Sequence, residues 1–127
     1  MSLRSPLGRV LGSGSAKDGT DHWWMQRVTA VALTGLGLWF IATVGFLPEY
    51  SAASVQAFIA DPWNAVWLVL LGATLAYHSA LGVQVVIEDY VHGPFLKVVS
   101  LLANKFTHIV IAVAATVAVL KIAFGSA

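Results

Sequence analysis

The chain has 127 residues, 58% of them hydrophobic and 10% charged, with a formal net charge of +1 and a mean hydropathy of +0.81. That balance is too apolar for an ordinary soluble domain and predicts a membrane protein. No Lys/Arg stripe exists to track a phosphate backbone, which excludes nucleic acid as a partner. The absence of cysteine excludes iron–sulfur ligation by this chain, covalent haem attachment, disulfides and thiol catalysis.

Met1 to Asp21 scatters Gly8, Gly12, Gly14 and Gly19 among serines and charges, which predicts an irregular segment outside the bilayer. It lacks the apolar stretch and small-residue cleavage site of a secretory signal. His22-Trp23-Trp24 marks a water–lipid boundary, and Arg27 is the last charge before hydrocarbon. Val28 to Leu47 then gives 20 residues without a charge, enough to cross a core of about 30 Å. Pro48-Glu49-Tyr50 ends this first span.

Ser51 to Ala60 is mildly amphipathic, with Val55, Phe58 and Ile59 on its apolar side, and predicts a short helix lying in the interface. Asp61-Pro62-Trp63 combines an N-cap acid, a proline at the first helical position and an interfacial anchor, so the second span starts there and runs to about Val91. His92-Gly93-Pro94 breaks it, glycine suiting a left-handed exit and proline ending the hydrogen-bond ladder. A third helix is expected from Pro94 or Phe95 to Phe124, with Lys105 and Lys121 snorkelling towards opposite surfaces. The expected division is 1–27 as a cytoplasmic N-terminal segment and 28–127 as an all-α, three-helix transmembrane domain, with spans near 28–47, 63–91 and 95–124. Arg4, Arg9, Lys17 and Arg27 precede the first span, while Lys97 and Lys105 follow the second. The positive-inside rule therefore puts the N-terminus and the Asp89-Tyr90 end on the cytoplasmic side and the C-terminus outside.

The chemistry centres on His78, which lies in a run of 25 residues, Trp63 to Ile87, without Asp, Glu, Lys or Arg. An ionisable side chain at membrane depth is a functional candidate. One reading is a plain interhelical hydrogen bond; the other is ligation of haem iron, which commonly takes imidazole. Gly82, one turn on, would leave room for a flat macrocycle against the helix. His92 in the break and His108, placed near the start of the third helix, are weaker ligands, so a second axial ligand is expected from another chain. Arg27 and His22 read either as interfacial anchors or as partners of the haem propionates. Glu88 and Asp89 at a helix C-terminus oppose the helix dipole and call for compensation, and Tyr90 supplies a neutral donor of the kind a quinone carbonyl needs.

Taken together, His78, Gly82, Gln84, Asp89 and Tyr90, with Arg27, Thr29 and Ala30 opening the first span and Leu7-Gly8-Arg9 before it, carry a family resemblance. Over nearly its whole length the chain resembles the hydrophobic membrane-anchor subunits, type D, of succinate dehydrogenase (succinate:quinone oxidoreductase, respiratory complex II). The resemblance implies a bacterial inner-membrane complex of four different proteins. A flavoprotein oxidises succinate, an iron–sulfur protein relays electrons, and two membrane anchors, this one and a second of its kind, hold haem b and reduce ubiquinone. It implies that His78 is one axial ligand, the other coming from the second membrane anchor. Arg27 would meet a propionate, and Tyr90, with Asp89 behind it, would line the quinone pocket against the iron–sulfur protein. One departure is Asp21, beside His22, where relatives often carry a histidine. The alternatives are a fumarate reductase membrane subunit and, in a different class, a non-redox structural, assembly or transporter subunit.

Overall fold

A computed structural model describes Leu7, Val10 and residues 19–125. The continuous part forms four helices: α1 over Gly19–Gly45, α2 over Ala52–Ala60, α3 over Pro62–Tyr90 and α4 over Pro94–Gly125. Strands are absent among the described residues, and α1, α3 and α4 are each long and apolar enough to cross a membrane. The chain is thus an all-α, three-span membrane protein.

The helix α1 begins well before the first apolar run, because nothing in Thr20 to Arg27 breaks a helix and Asp21 in the first turn suits the dipole. Its 27 residues extend roughly 40 Å, enough for the hydrocarbon core and the interfacial layers. Gly19 to Asp21 are therefore helical rather than irregular. Residues 22–27 of the expected N-terminal segment belong to the same helix, and of residues 1–18 all but Leu7 and Val10 lie outside the described residues.

The short helix α2 is closed at its start by a capping box. Ser51 Oγ accepts from the Ser54 backbone N–H, and Ser54 Oγ accepts from that of Ser51, each at 3.2 Å. One residue past its end, Asp61 caps α3. A single carboxylate oxygen accepts from the N–H groups of Trp63 and Asn64, both at 3.0 Å, with Pro62 at the first helical position. The exit of α3 differs from expectation. Val91 is extended (φ −94°, ψ 105°), and Gly93 does not adopt the left-handed conformation. Proline at 94 suffices to stop the ladder, so the glycine is not needed as a left-handed cap.

The helix α3 is the centre of the molecule. It packs against α1 on one side and α4 on the other, and α1 and α4 do not meet. Small side chains allow the close approach, with Ala65 and Ala76 buried and Gly72 facing Ala115. At the α2 end, Trp39 stacks on Phe58 at 6.3 Å and tilts against Trp67 at 5.8 Å, tying α1, α2 and α3 together. In the most apolar windows of α1, α3 and α4 only 11%, 11% and 0% of residues are buried. Such a chain does not hold together by its own core; lipid or other protein must cover its apolar faces.

Candidate functional site

Three residues of α1, His22, Gln26 and Thr29, recur at helical spacing and form a polar line, and His78 of α3 meets the last two of them. Thr29 is the buried polar residue of the described chain, 6% exposed. Its Oγ1 lies 2.7 Å from the Met25 carbonyl and 3.2 Å from that of Gln26, the back-bonding typical of threonine inside a helix. It also lies 2.8 Å from His78 Nδ1. A hydroxyl carries one proton, and that proton is committed to its own helix, so His78 Nδ1–H donates to Thr29. A neutral imidazole has one N–H, which leaves Nε2 with a free lone pair. The Gln26 amide Nε2–H, at 3.3 Å, is the donor facing it.

Two polar atoms on this α1 face are buried without a partner, His22 Nε2 and Gln26 Oε1. Each unsatisfied buried polar atom costs about 1–3 kcal/mol, which exceeds the roughly 0.6 kcal/mol that an interhelical hydrogen bond averages in a membrane. The line is therefore poorly explained as mere adhesion between helices. Gly82 sits at the same place: a Cβ added there would stand 3.8 Å from the Gln26 amide nitrogen. His78 and Gly82 thus share one polar seam with Gln26, and His22 lies one turn further along α1. Gln26 and Thr29 complete it; no role was expected for either, although both polar residues follow His22 at helical intervals.

Arg27 does not join the seam. Its guanidinium lies 5.5 Å above the Trp23 ring on an exposed face, one turn along the helix. Asp89 and Tyr90 are exposed at the far end of α3, about 18 Å along the axis from His78. The compensation their helix end requires comes from the next helix and from the preceding turn. Lys97 Nζ donates to the Glu88 carbonyl at 2.8 Å, and Gln84 Nε2 donates to the Glu88 carboxylate at 2.8 Å.

On the opposite side of α3, a cleft of about 590 Å³ opens towards α4, with Tyr77, Gln84, Asn104, Lys105 and His108 among its lining. His108 corrects the expectation that it lies near the start of the third helix as an interfacial residue. It sits near the middle of α4, where Nδ1–H donates to the Asn104 carbonyl at 2.8 Å and Nε2 meets Ser79 Oγ at 3.1 Å. The Asn104 amide bridges back, donating to the Ala80 carbonyl at 2.9 Å. The helix starts at Pro94, as expected, and runs unbroken through Lys105, which leaves His108 fourteen residues from that start. No group of three or more His, Asp or Glu side chains placed to hold a metal occurs among the described residues.

Two apolar helices packed on either side of a central third, with a histidine on that central helix in a charge-free run, define a polytopic membrane anchor. A family model described as "Succinate dehydrogenase/Fumarate reductase transmembrane subunit" matches residues 1–120, and the chain belongs to that family. It is 35% identical to the succinate dehydrogenase hydrophobic membrane anchor subunit of Rickettsia bellii (strain RML369-C) over 120 residues, 92% of this chain and 94% of the relative. It is 32% identical to the subunit of the same name from Paracoccus denitrificans over 90% of this chain and 88% of that one. A succinate dehydrogenase membrane anchor subunit of Reclinomonas americana is 32% identical over 67% and 73%. No solved structure matches the chain.

Proposed function

We propose that the chain is the hydrophobic membrane-anchor subunit of a succinate dehydrogenase, holding haem b together with a second membrane anchor and forming part of the site where ubiquinone is reduced. The relatives' names support succinate oxidation over fumarate reduction as the physiological direction. The observation that carries the haem assignment is the state of His78. Its Nδ1 proton is taken by Thr29, and its Nε2 lone pair faces only the Gln26 amide at 3.3 Å, a contact that a metal can replace, at the depth of a 25-residue charge-free run. The residues fit the group: the unpaired Gln26 Oε1 lies on the same seam, the unpaired His22 Nε2 lies one turn further along α1, and Gly82 leaves that seam open.

Haem, when bound, supplies a one-electron couple. The protein's part is to present one imidazole in fixed orientation and to place polar atoms of His22 and Gln26 beside it. In this reading a flavoprotein and an iron–sulfur protein deliver electrons on the cytoplasmic side of the bacterial inner membrane, where the N-terminus and the Tyr90 end lie. Tyr90 donates from its hydroxyl to a quinone carbonyl, and Asp89 holds the cation or water that feeds the two protons each quinol requires. The exposure of both residues suits a pocket completed by another protein of the complex. Arg27 is held over the Trp23 ring, a stacking that uses the face of the guanidinium and leaves its in-plane N–H groups able to meet a propionate. Replacing His78 with Ala tests the reading. The low-spin haem b spectrum should vanish while the chain stays in the membrane, and an unchanged spectrum would sink the ligand assignment.

A further inference from the structure

We infer that Thr29 is a positioning residue for His78. It fixes the tautomer and the plane of the imidazole so that Nε2 is the ligating atom, while Gln26 holds that lone pair until a metal replaces it. The inference rests on the haem reading above and goes beyond it, since nothing in the resemblance gives Thr29 or Gln26 a task.

The argument begins with proton count. The hydroxyl of Thr29 is tethered to the Met25 carbonyl at 2.7 Å and presents only lone pairs across the interface. At 2.8 Å from Nδ1 it can only accept, so the tautomer with Nδ1–H is favoured and the alternative would face two lone pairs towards each other. Gln26 contributes the second fixed point, its amide donating to Nε2 at 3.3 Å. Two bonds to one neighbouring helix, at opposite nitrogens, define the ring plane as well as the tautomer. The anchor is firm because Thr29 is buried between α1 and α3, its β-branched side chain having few rotamers in a helix.

An accepting group on the distal nitrogen makes an imidazole a stronger electron donor and holds its orientation, the usual task of an outer-shell partner. Threonine does this here with an oxygen made more electron-rich by nothing but its own back-bond, so the effect on the iron should be a modest lowering of potential. The Gln26 amide occupies the direction a ligated atom needs. Its carbonyl oxygen, buried and unpaired in this arrangement, gains freedom to find a partner when the side chain turns aside.

The test uses the assembled membrane complex with Thr29→Val, which keeps the shape and removes the oxygen, and Thr29→Ser, which keeps the oxygen. Haem midpoint potential, the low-spin electron paramagnetic resonance g-values and haem retention during detergent washing are measured for each. Thr29→Val should raise the potential, shift the g-values as the ring plane relaxes, and weaken retention by about 10- to 100-fold, with Thr29→Ser close to the parent. Unchanged potential and g-values in Thr29→Val would overturn the inference while leaving His78 as ligand, provided His78→Ala loses the spectrum. A normal spectrum in His78→Ala overturns the haem reading and this inference together. Thr29→Ala repeats the comparison without the branched side chain should Thr29→Val fail to assemble; equal loss in the Ala and Ser variants would overturn the inference by showing that methyl packing, not the hydroxyl, is what matters.

Discussion

His108 Nε2 stands 3.1 Å from Ser79 Oγ, so the second and third spans are joined by a polar bond one residue from His78. Because His108 Nδ1–H is taken by the Asn104 carbonyl, its Nε2 is the acceptor and Ser79 the donor. The two histidines at membrane depth therefore face different neighbours, His78 towards α1 and His108 towards α4. Ser79→Ala should weaken the α3–α4 pairing by about 0.6 kcal/mol, up to about 1.7 kcal/mol, the range of such bonds in membranes. Unfolding in mixed detergent measures this, and haem absorbance should be unaffected; a loss of haem equal to that of His78→Ala would make His108 a candidate ligand after all.

The start of α3 depends on Asp61, whose one oxygen serves two backbone donors. Asp61→Ala leaves both unpaired at a helix end and should cost about 1 kcal/mol, with Asp61→Asn retaining most of it. Thermal unfolding of the purified chain in detergent reads the difference. Equal stability of all three would mean that Pro62 alone sets the start.

Arg27 stacked on Trp23 admits a comparison of charge with geometry. Arg27→Lys keeps the charge and loses the planar fork, whereas Arg27→Leu loses both. Normal haem content and potential in both variants, with insertion impaired only in Arg27→Leu, would show an interfacial anchor. Haem loss in both is the expected outcome if the guanidinium reaches a propionate.

Tyr90→Phe removes a hydroxyl from an exposed helix end and keeps the ring. Succinate-to-quinone turnover should fall by the equivalent of about 0.5–1.5 kcal/mol, roughly 2- to 13-fold, while reduction of a soluble dye upstream of the membrane is unchanged. Asp89→Asn should act on the same step through proton supply. If dye reduction falls in parallel, the two residues serve assembly of the complex rather than the quinone.

Where most of the helices run and what they are made of is legible from neighbouring residues alone, the start of α1 at Gly19, within a stretch expected to be irregular, being the exception. The Asp61-Pro62 start, the proline stop at 94 and the charge-free run around His78 are features of residues next to one another in the chain, so they need no knowledge of any partner. The resemblance carried by His78, Gly82, Asp89 and Tyr90 pointed to the family for the same reason: those residues lie on one helix at fixed intervals. Which side chains meet across helices emerges only when the spans are packed together. Thr29 and Gln26 reach His78 from 49 and 52 residues away, and Ser79 meets His108 across 29. A helix apolar on every side carries no stripe that marks its inner face, because lipid and protein neighbours are equally apolar. The facing sides are set instead by close packing of small residues and by pairing of the few polar groups, and these are properties of the assembled helices rather than of any one of them.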